Sequence, residues 1–445
     1  MEKRTAALES VDRLRINVWY GTSQQFGIPG IAQKWINILG NVAPTNQLAS
    51  LSYSLNGTPV KTLSIGPDNR RLLKVGDFNI EIDKAALKKG QNLVQIVALD
   101  YLGQKNIQQV KIHYQPNIWP LPYQSVLQET TNLQELVQLV DGHWFLEKRR
   151  ICTNPDAVGY DRSFAIGDAT WVNYSITFSV IINKIDAKAY QSAISQSPGF
   201  GIILRWLGHS HFPISGRQPK SGWEPFGGLF WYQFQKKKKG KLSFLAPPPT
   251  VQTIEENAWN LKLGKQYWIK TSVESTPAGH LYRFCMWQDN QLEKEGVEFY
   301  HLIDTDNLSS GSMLFFAHHV DLTIGNISVT PLKAEEKMRS RVYAFYDWMI
   351  HLPLIGVLAY GCYRFSQIEN IPSHSQVGFL LAIFSTFLYT SLMLLTKRKL
   401  AIFLFKQGIK AKQAMLIIQI KNMLLALLLA LTWLLVIFSV SSILN

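Results

Sequence analysis

Residues 423–444, MLLALLLALTWLLVIFSVSSIL, contain no charged side chain. A helix needs about 20 apolar residues to cross the hydrocarbon core of a bilayer, so this stretch predicts a transmembrane span. Residues 377–396 are also uncharged and of spanning length. Residues 342–363 make a third candidate, interrupted by Asp347, His351 and Pro353, with Asp347 best placed at headgroup level. Between the second and third spans, lysines and apolar residues alternate over 397–422 as in a basic amphipathic helix on a membrane surface. Lys397, Arg398, Lys399, Lys406, Lys410 and Lys412 would face the lipid.

Charge supports this reading. The chain of 445 residues carries a formal net charge of +14, and 12 Lys and Arg against 4 Asp and Glu lie from Lys333 onward, so 8 of those 14 charges sit in the last quarter. Basic excess beside apolar segments marks the cytoplasmic side of a membrane protein. It is no signature of nucleic-acid binding, and no motif for such a partner is present. Basic flanks before 342 and after 396 place the preceding domains in the cytoplasm and the C-terminus outside. The N-terminal MEKRTAALESVDRLRINVWYG has no apolar signal-peptide core, which agrees.

The chain before 333 reads as mainly β. Over 14–114, short β-rich runs at 15–20, 35–42, 49–55, 60–65, 77–82, 93–100 and 108–114 alternate with turn signals, among them the hairpin pair Asn56-Gly57. Seven strands in that length predict an Ig-like β-sandwich. Arg70, Arg71 and Lys74 read as a solvated basic turn, with anion binding the alternative. Trp19, Tyr20, Phe26 and Trp35 read as core, with an aromatic platform the alternative. A proline-rich linker over 115–125 marks a boundary. From 126 to 332, after a short helix or turn at 132–140, ten strands with long connections predict a two-sheet jelly roll. A charged linker at 333–341 leads into a membrane domain over 342–445.

The order of phrases in the second domain carries a resemblance. GDATWVNYSITFSVII, GFGIILRW, GGLFWYQF, LGKQYWIKTSVES and GSMLFFAHHVDLTIGNISVTPL resemble the strands of the concanavalin A-like lectin/glucanase superfamily, including laminin-G-like (LamG-like) domains. Trp171 with Tyr174, Gly201 to Arg205, and Gly325 to Val329 match its strand motifs. The first domain, through LSYSLNGTPVKTLSIGPDNRRL and GDFNIEID, resembles Ig-like modules of bacterial surface proteins. The resemblance implies a concanavalin A-like jelly roll beside an Ig-like spacer, with a strand carrying Arg205 toward the concave face. It implies a fold that hosts lectins, hydrolases, lyases and adhesion modules and is mostly exported; charge and the missing signal outweigh that, so the expected setting is a bacterial inner membrane with the β-domains in the cytoplasm.

The loop joining strands 201–207 and 228–234 is the candidate ligand loop. Arg205, Trp206, His209, His211, Gln218, Trp223 and Glu224 supply stacking faces, donors and acceptors of the kind a sugar requires. His318 would join them if strand pairing sets it beside Arg205. The E-x-D-x-E spacing that puts two carboxylates on one strand face is missing, which leaves Glu224 as a lone candidate general base. His318, His319 and Asp321 are candidate metal ligands. Lys236 to Lys239 read as a solvated hairpin tip. No cofactor is expected, since no phosphate-cradling loop or nucleophile motif appears. Cys152, Cys285 and Cys362 match no metal spacing and read as free thiols. The expectation is a membrane-anchored, non-catalytic protein that recognises a glycan or glycoconjugate. A glycoside-processing enzyme or a scaffold binding other membrane proteins are the alternatives.

Overall fold

The computed structural model describes residues 13–332, apart from 69, 128–129, 156–160, 187–188, 190–196, 210–217, 237–238, 248–249, 256–259, 277–278 and 304–306, together with the helix Ala411–Leu444 and isolated positions between 356 and 404. It divides into two compact units. The first holds most of residues 1–332, and with them both sandwiches. The second holds the chain from Lys333 on with 274–281 and 300–305.

Eight strands build the first sandwich: β1 (Arg15–Val18), β2 (Ser23–Phe26), β3 (Trp35–Ala43), β4 (Leu48–Leu55), β5 (Lys61–Thr62), β6 (Asp77–Asp83), β7 (Gly90–Asp100) and β8 (Lys105–Tyr114). They form a three-stranded sheet, β1-β3-β6, over a five-stranded one, β2-β8-β7-β4-β5. β2 pairs with β8 in parallel, a strand its polar sequence SQQF hides. The Asn56-Gly57 hairpin is present, both residues at positive φ and Thr58 N donating to Leu55 O. Ile36, Ile38, Phe78, Ile80, Val94, Ile96, Val110 and Ile112 fill the core between the sheets.

Fifteen strands build the second: β9 (Tyr123–Gln124), β10 (Gln138–Asp141), β11 (Trp144–Glu147), β12 (Arg150–Thr153), β13 (Arg162–Ile166), β14 (Tyr174–Ile185), β15 (Gly199–Trp206), β16 (Gly228–Gln233), β17 (Lys241–Ala246), β18 (Thr250–Glu255), β19 (Gln266–Thr276), β20 (Gly279–Gln288), β21 (Val297–Ile303), β22 (Ser312–His318) and β23 (Val320–Pro331). One sheet runs β10-β13-β22-β15-β16-β17-β18; the other runs β11-β12-β23-β14-β19-β20-β21, with β9 added on β23. The expected helix or turn at 132–140 is a 3₁₀ turn, Leu133–Glu135, followed by β10. The closing strand β23 lies beside β14, Phe178 opposite Ile327.

Aromatic rings fill the space between the two sheets. Phe315 stacks on Phe164 (5.4 Å between centroids) and Phe200 (6.1 Å), and meets Phe178 and Trp144 edge-on. Side chains alternate along a strand, so Gly201, Phe316 and Trp231, the neighbours in sequence of core residues, lie on the opposite, front face of the seven-stranded sheet. Cys152 and Cys285 are buried free thiols.

The helix α1, Ala411–Leu444, is 34 residues long. Its segment Leu416–Leu435 has a mean hydropathy of 1.8 and is long and apolar enough to cross a membrane. Leu416, Ile420, Leu424, Leu428, Leu431, Leu435 and Phe438 form an exposed apolar stripe along it. This corrects the sequence reading in one respect. Residues 411–422, expected as part of a separate surface segment, continue into the apolar helix without a break, and Lys412 belongs to its first turns. The other basic residues of that segment, Lys397, Arg398, Lys399, Lys406 and Lys410, and most of 342–363 and 377–396 lie outside the described residues.

Phe315→Ala removes the ring on which four others pack. We expect a loss of about 3–5 kcal/mol in unfolding free energy, read from the denaturant midpoint of the purified protein.

Candidate functional site

The front face of the seven-stranded sheet is where a ligand would be sought, and part of it is already covered by the first sandwich. Ala32 packs into an apolar cluster with Val140, Ala165, Ile203, Trp206, Phe226, Leu314 and Phe316. Gln138 fixes the contact, accepting from Ala32 N at 2.7 Å and donating to Trp35 O at 2.6 Å.

A buried ionic seam continues this junction. In β6 alternate residues Phe78, Ile80 and Ile82 enter the core of the first sandwich, and Asn79 and Glu81 point the other way, yet both are buried. The Asp68 carboxylate accepts from the backbone N–H groups of Arg70, Arg71 and Leu72, which shapes the preceding loop. Arg71 then reaches across the junction. Its Nε donates to Asp141 Oδ1 at 2.7 Å, and its Nη1 donates to Glu81 Oε1 at 2.5 Å and to Lys220 O at 2.7 Å. Asp141 also accepts from Asn79 Nδ2 (3.0 Å) and Ser163 Oγ (3.0 Å), and His209 Nε2 lies 3.3 Å from it. Glu81 accepts from Lys220 N at 2.8 Å and pairs with Lys220 Nζ at 3.1 Å. Arg71 is therefore a buried two-carboxylate clamp and not a solvated turn residue.

Burial alone would raise the Glu81 carboxyl. The charges of Arg71, Lys220 and His209 overturn that and hold it down to about 2. Arg71 is desolvated in turn, and Asp141 and Glu81 more than compensate, so its pKa rises.

The candidate ligand loop supplies much of this seam. His209 Nδ1 faces Gly222 O at 2.7 Å, so that nitrogen carries the proton and donates. The Gln218 side chain exchanges both of its hydrogen bonds with the Glu81 backbone, at 2.7 and 2.9 Å, in the manner of a strand partner. Lys220 Nζ lies 3.9 Å from the Trp35 ring centroid.

The other expected contacts are placed as follows. A β-bulge between Leu204 and Trp206 leaves Arg205 at φ 55° and turns it off the front face. It is 0% exposed, donating to Leu308 O at 2.8 Å and Val172 O at 3.0 Å; desolvation lowers its pKa. Trp206 is equally buried, its Nε1 donating to Trp223 O. Neither presents surface to a ligand. The antiparallel register sets His318 opposite Gly199 and Trp206 opposite Ser312, so Arg205 and His318 stand at opposite ends of the strand pair and not side by side. Trp223 is half-buried and Glu224 exposed. His211 lies outside the described residues.

His318 Nδ1 lies 2.8 Å from Asp161 Oδ1 and His319 Nδ1 3.3 Å from Asp186 Oδ2, while Asp321 accepts from Thr153 Oγ1 at 2.6 Å. Burial, then the His318 charge, lowers the His319 pKa against the opposing pull of Asp186. Among the described residues, no group of three or more His, Cys, Asp or Glu could hold a metal ion.

The front face does gather an aromatic file that spacing alone did not reveal. His209 leads to Trp223 (5.3 Å between centroids), Trp223 to Phe316 (4.7 Å), Phe316 to Trp231 (5.6 Å), and Trp231 to His318 (5.9 Å). Gly201 sits in register between Phe316 and Trp231, and a Cβ there would stand 2.2 Å from the Phe316 ring. The signal was the glycine within an apolar strand, which often marks a close approach.

No family model matches the chain, and no curated protein does. Among solved structures, lectin I of Ulex europaeus, in complex with the methyl glycoside of α-L-fucose, is similar at 8% identity and a TM-score of 0.32, over 47% of this chain and 98% of the lectin. Peanut lectin with a 9-residue peptide is similar at 12% identity and a TM-score of 0.31, over 47% and 96%. The endo-β-1,4-mannanase of Thermotoga petrophila is similar at 12% identity and a TM-score of 0.19, over 24% of this chain and only 21% of the mannanase. At these scores the likeness carries no argument about ligand or chemistry.

Arg71→Met leaves Asp141 without its guanidinium partner and Glu81 with Lys220 alone, and is expected to destabilise the protein by about 3–5 kcal/mol at neutral pH. Glu81 has its folded pKa below its unfolded one. Its contribution is therefore complete above pH 4.5 and is lost as pH falls toward about 2. Glu81→Gln should flatten the stability profile in that window, as measured by denaturant unfolding at stepped pH.

Proposed function

We propose that this chain is a membrane-anchored, non-catalytic protein that recognises a glycan or glycoconjugate on the front face of its jelly roll. The observation that carries the reading is the pair of half-buried indoles, Trp223 and Trp231, set on either side of Phe316 over the side-chain-free Gly201. Aromatic faces of this kind stack on the C–H surfaces of pyranose rings, and the buried Phe316 keeps both indoles in fixed orientations. Glu224 at the exposed edge and His318 at the far end of the file would accept and donate hydrogen bonds to hydroxyls. The first sandwich serves as an Ig-like spacer docked against the lectin-like domain.

The apolar helix Ala411–Leu444 supplies the anchor, with lipid as its partner. The basic residues around 397–412 favour the cytoplasmic leaflet, and with two further spans at 342–363 and 377–396 the β-domains lie in the cytoplasm. Other membrane proteins are possible neighbours of these helices.

On a glycan array, the purified chain should show saturable binding that Trp231→Ala and Trp223→Ala each weaken by about tenfold or more, with the folded state retained by circular dichroism. No binding by the folded wild type, or binding indifferent to both substitutions, would contradict the reading.

A further inference from the structure

A cavity of about 240 Å³ opens at the same junction, shares Arg71 with the ionic seam, and is lined by neither Trp223 nor Trp231. From the first sandwich it takes Trp19, Asn41 and Leu73; from the second, His143, Asp161 and Arg162.

Its aromatic wall is held by bonds that span both sandwiches. The Trp19 indole lies parallel to the His143 ring, centroids 5.3 Å apart and planes 14° apart. Trp19 Nε1 donates to Asn41 Oδ1 at 3.0 Å. The adjacent Tyr20 hydroxyl donates to Gly142 O at 3.0 Å and accepts from Trp144 N at 2.9 Å, which locks the segment carrying the indole. A packed sandwich needs none of these groups at a cavity wall.

Its polar wall has capacity left over. Arg162 is 2% exposed; Nη1 donates to Asn154 O at 3.3 Å and Nη2 to Val320 O, while its buried Nε makes no hydrogen bond. A buried guanidinium donor without an acceptor is costly and uncommon in folded proteins. Among the described residues, Asp161 Oδ1 accepts from His318 Nδ1 at 2.8 Å. Lys74, exposed, and Asp77, buried, also line the cavity. Burial, the largest effect there, raises the Asp77 carboxyl. Both signs of charge line the wall, Arg71, Lys74 and Arg162 against Asp77 and Asp161, so no single charge is favoured in the ligand.

We propose that this cavity is a second ligand site that takes a neutral sugar ring. Its C–H face would lie against the Trp19 side of the cavity, and its hydroxyls would donate to Asp161. The site adjoins the front face through the Asp161–His318 bond, but it does not depend on glycan recognition there. An anionic ligand would meet Asp77 and Asp161, and a purely apolar one would desolvate those carboxylates without replacing their water.

The test uses the full chain in detergent micelles carrying Trp223→Ala and Trp231→Ala, so that the front face is silent. Free neutral hexoses, N-acetylhexosamines and hexuronates are titrated by calorimetry. At least one neutral sugar is expected to bind, and adding Leu73→Trp, which fills the cavity without removing a hydrogen bond named here, should weaken it by about tenfold or more. Trp19→Phe, which keeps a ring and loses the bond to Asn41, should weaken it by a smaller factor. Binding of no sugar, binding of hexuronates only, or neutral-sugar binding unchanged by Leu73→Trp would each overturn the proposal. Those outcomes leave the front-face reading to its own array experiment.

Discussion

The Arg71 guanidinium, buried between Glu81 and Asp141, is the constraint on which the arrangement of the two sandwiches depends. A charge removed from water at such a junction is tolerated only when its partners are fixed and its remaining donors are satisfied. That requirement explains the neighbours. Asn79 and Ser163 complete the acceptor capacity of Asp141, and Lys220 supplies the second cation that Glu81 needs. These groups sit on β6, β10, β13 and the stretch around Lys220, so the seam forms only when segments of both sandwiches are in place. Such a network adds less net stability than its bond count suggests, and its main effect here is to specify one relative orientation.

That orientation has a functional consequence. Docking the first sandwich takes away one part of the front face, where Ala32 covers Trp206 and Phe226, and leaves the file around Trp223, Phe316 and Trp231. The loop between β15 and β16 thus acts first as a clamp, with Gln218 and Lys220 directed at the first sandwich and His209 turned to Asp141 and Gly222. Among the loop's described residues, Trp223 and Glu224 are the candidate contacts outside the seam. The same docking forms the cavity walled by Trp19 and Arg162, so both proposed sites follow from one interface.

Much of the fold was legible because it depends on local alternation. The Asn56-Gly57 hairpin, β13, β22 and the neighbouring β14 and β23 follow from period-2 patterns and turn chemistry. Strands such as β2, SQQF, and the two-residue β9 escaped because pairing, not side-chain pattern, makes them strands. The site was less legible for a different reason. DFNIEID in β6 reads as a half-solvated strand, and its Asn79 and Glu81 are buried only because a second domain arrives. Arg205 follows the alternation of β15 until a bulge turns it inward, a one-residue event that no periodicity announces. Trp223 and Glu224 were named as ligand contacts and are half-buried and exposed, while Trp231 read simply as a core strand residue.

The central claim is that the seam makes the two sandwiches one cooperative body. Native-state hydrogen exchange of the full chain, followed by mass spectrometry across a denaturant series, tests it directly. The account predicts that β3 and β6 of the first sandwich and β13 and β22 of the second open together, with one shared free energy, and that Arg71→Met splits them into two. Separate opening of the two sandwiches in the wild-type chain would contradict it.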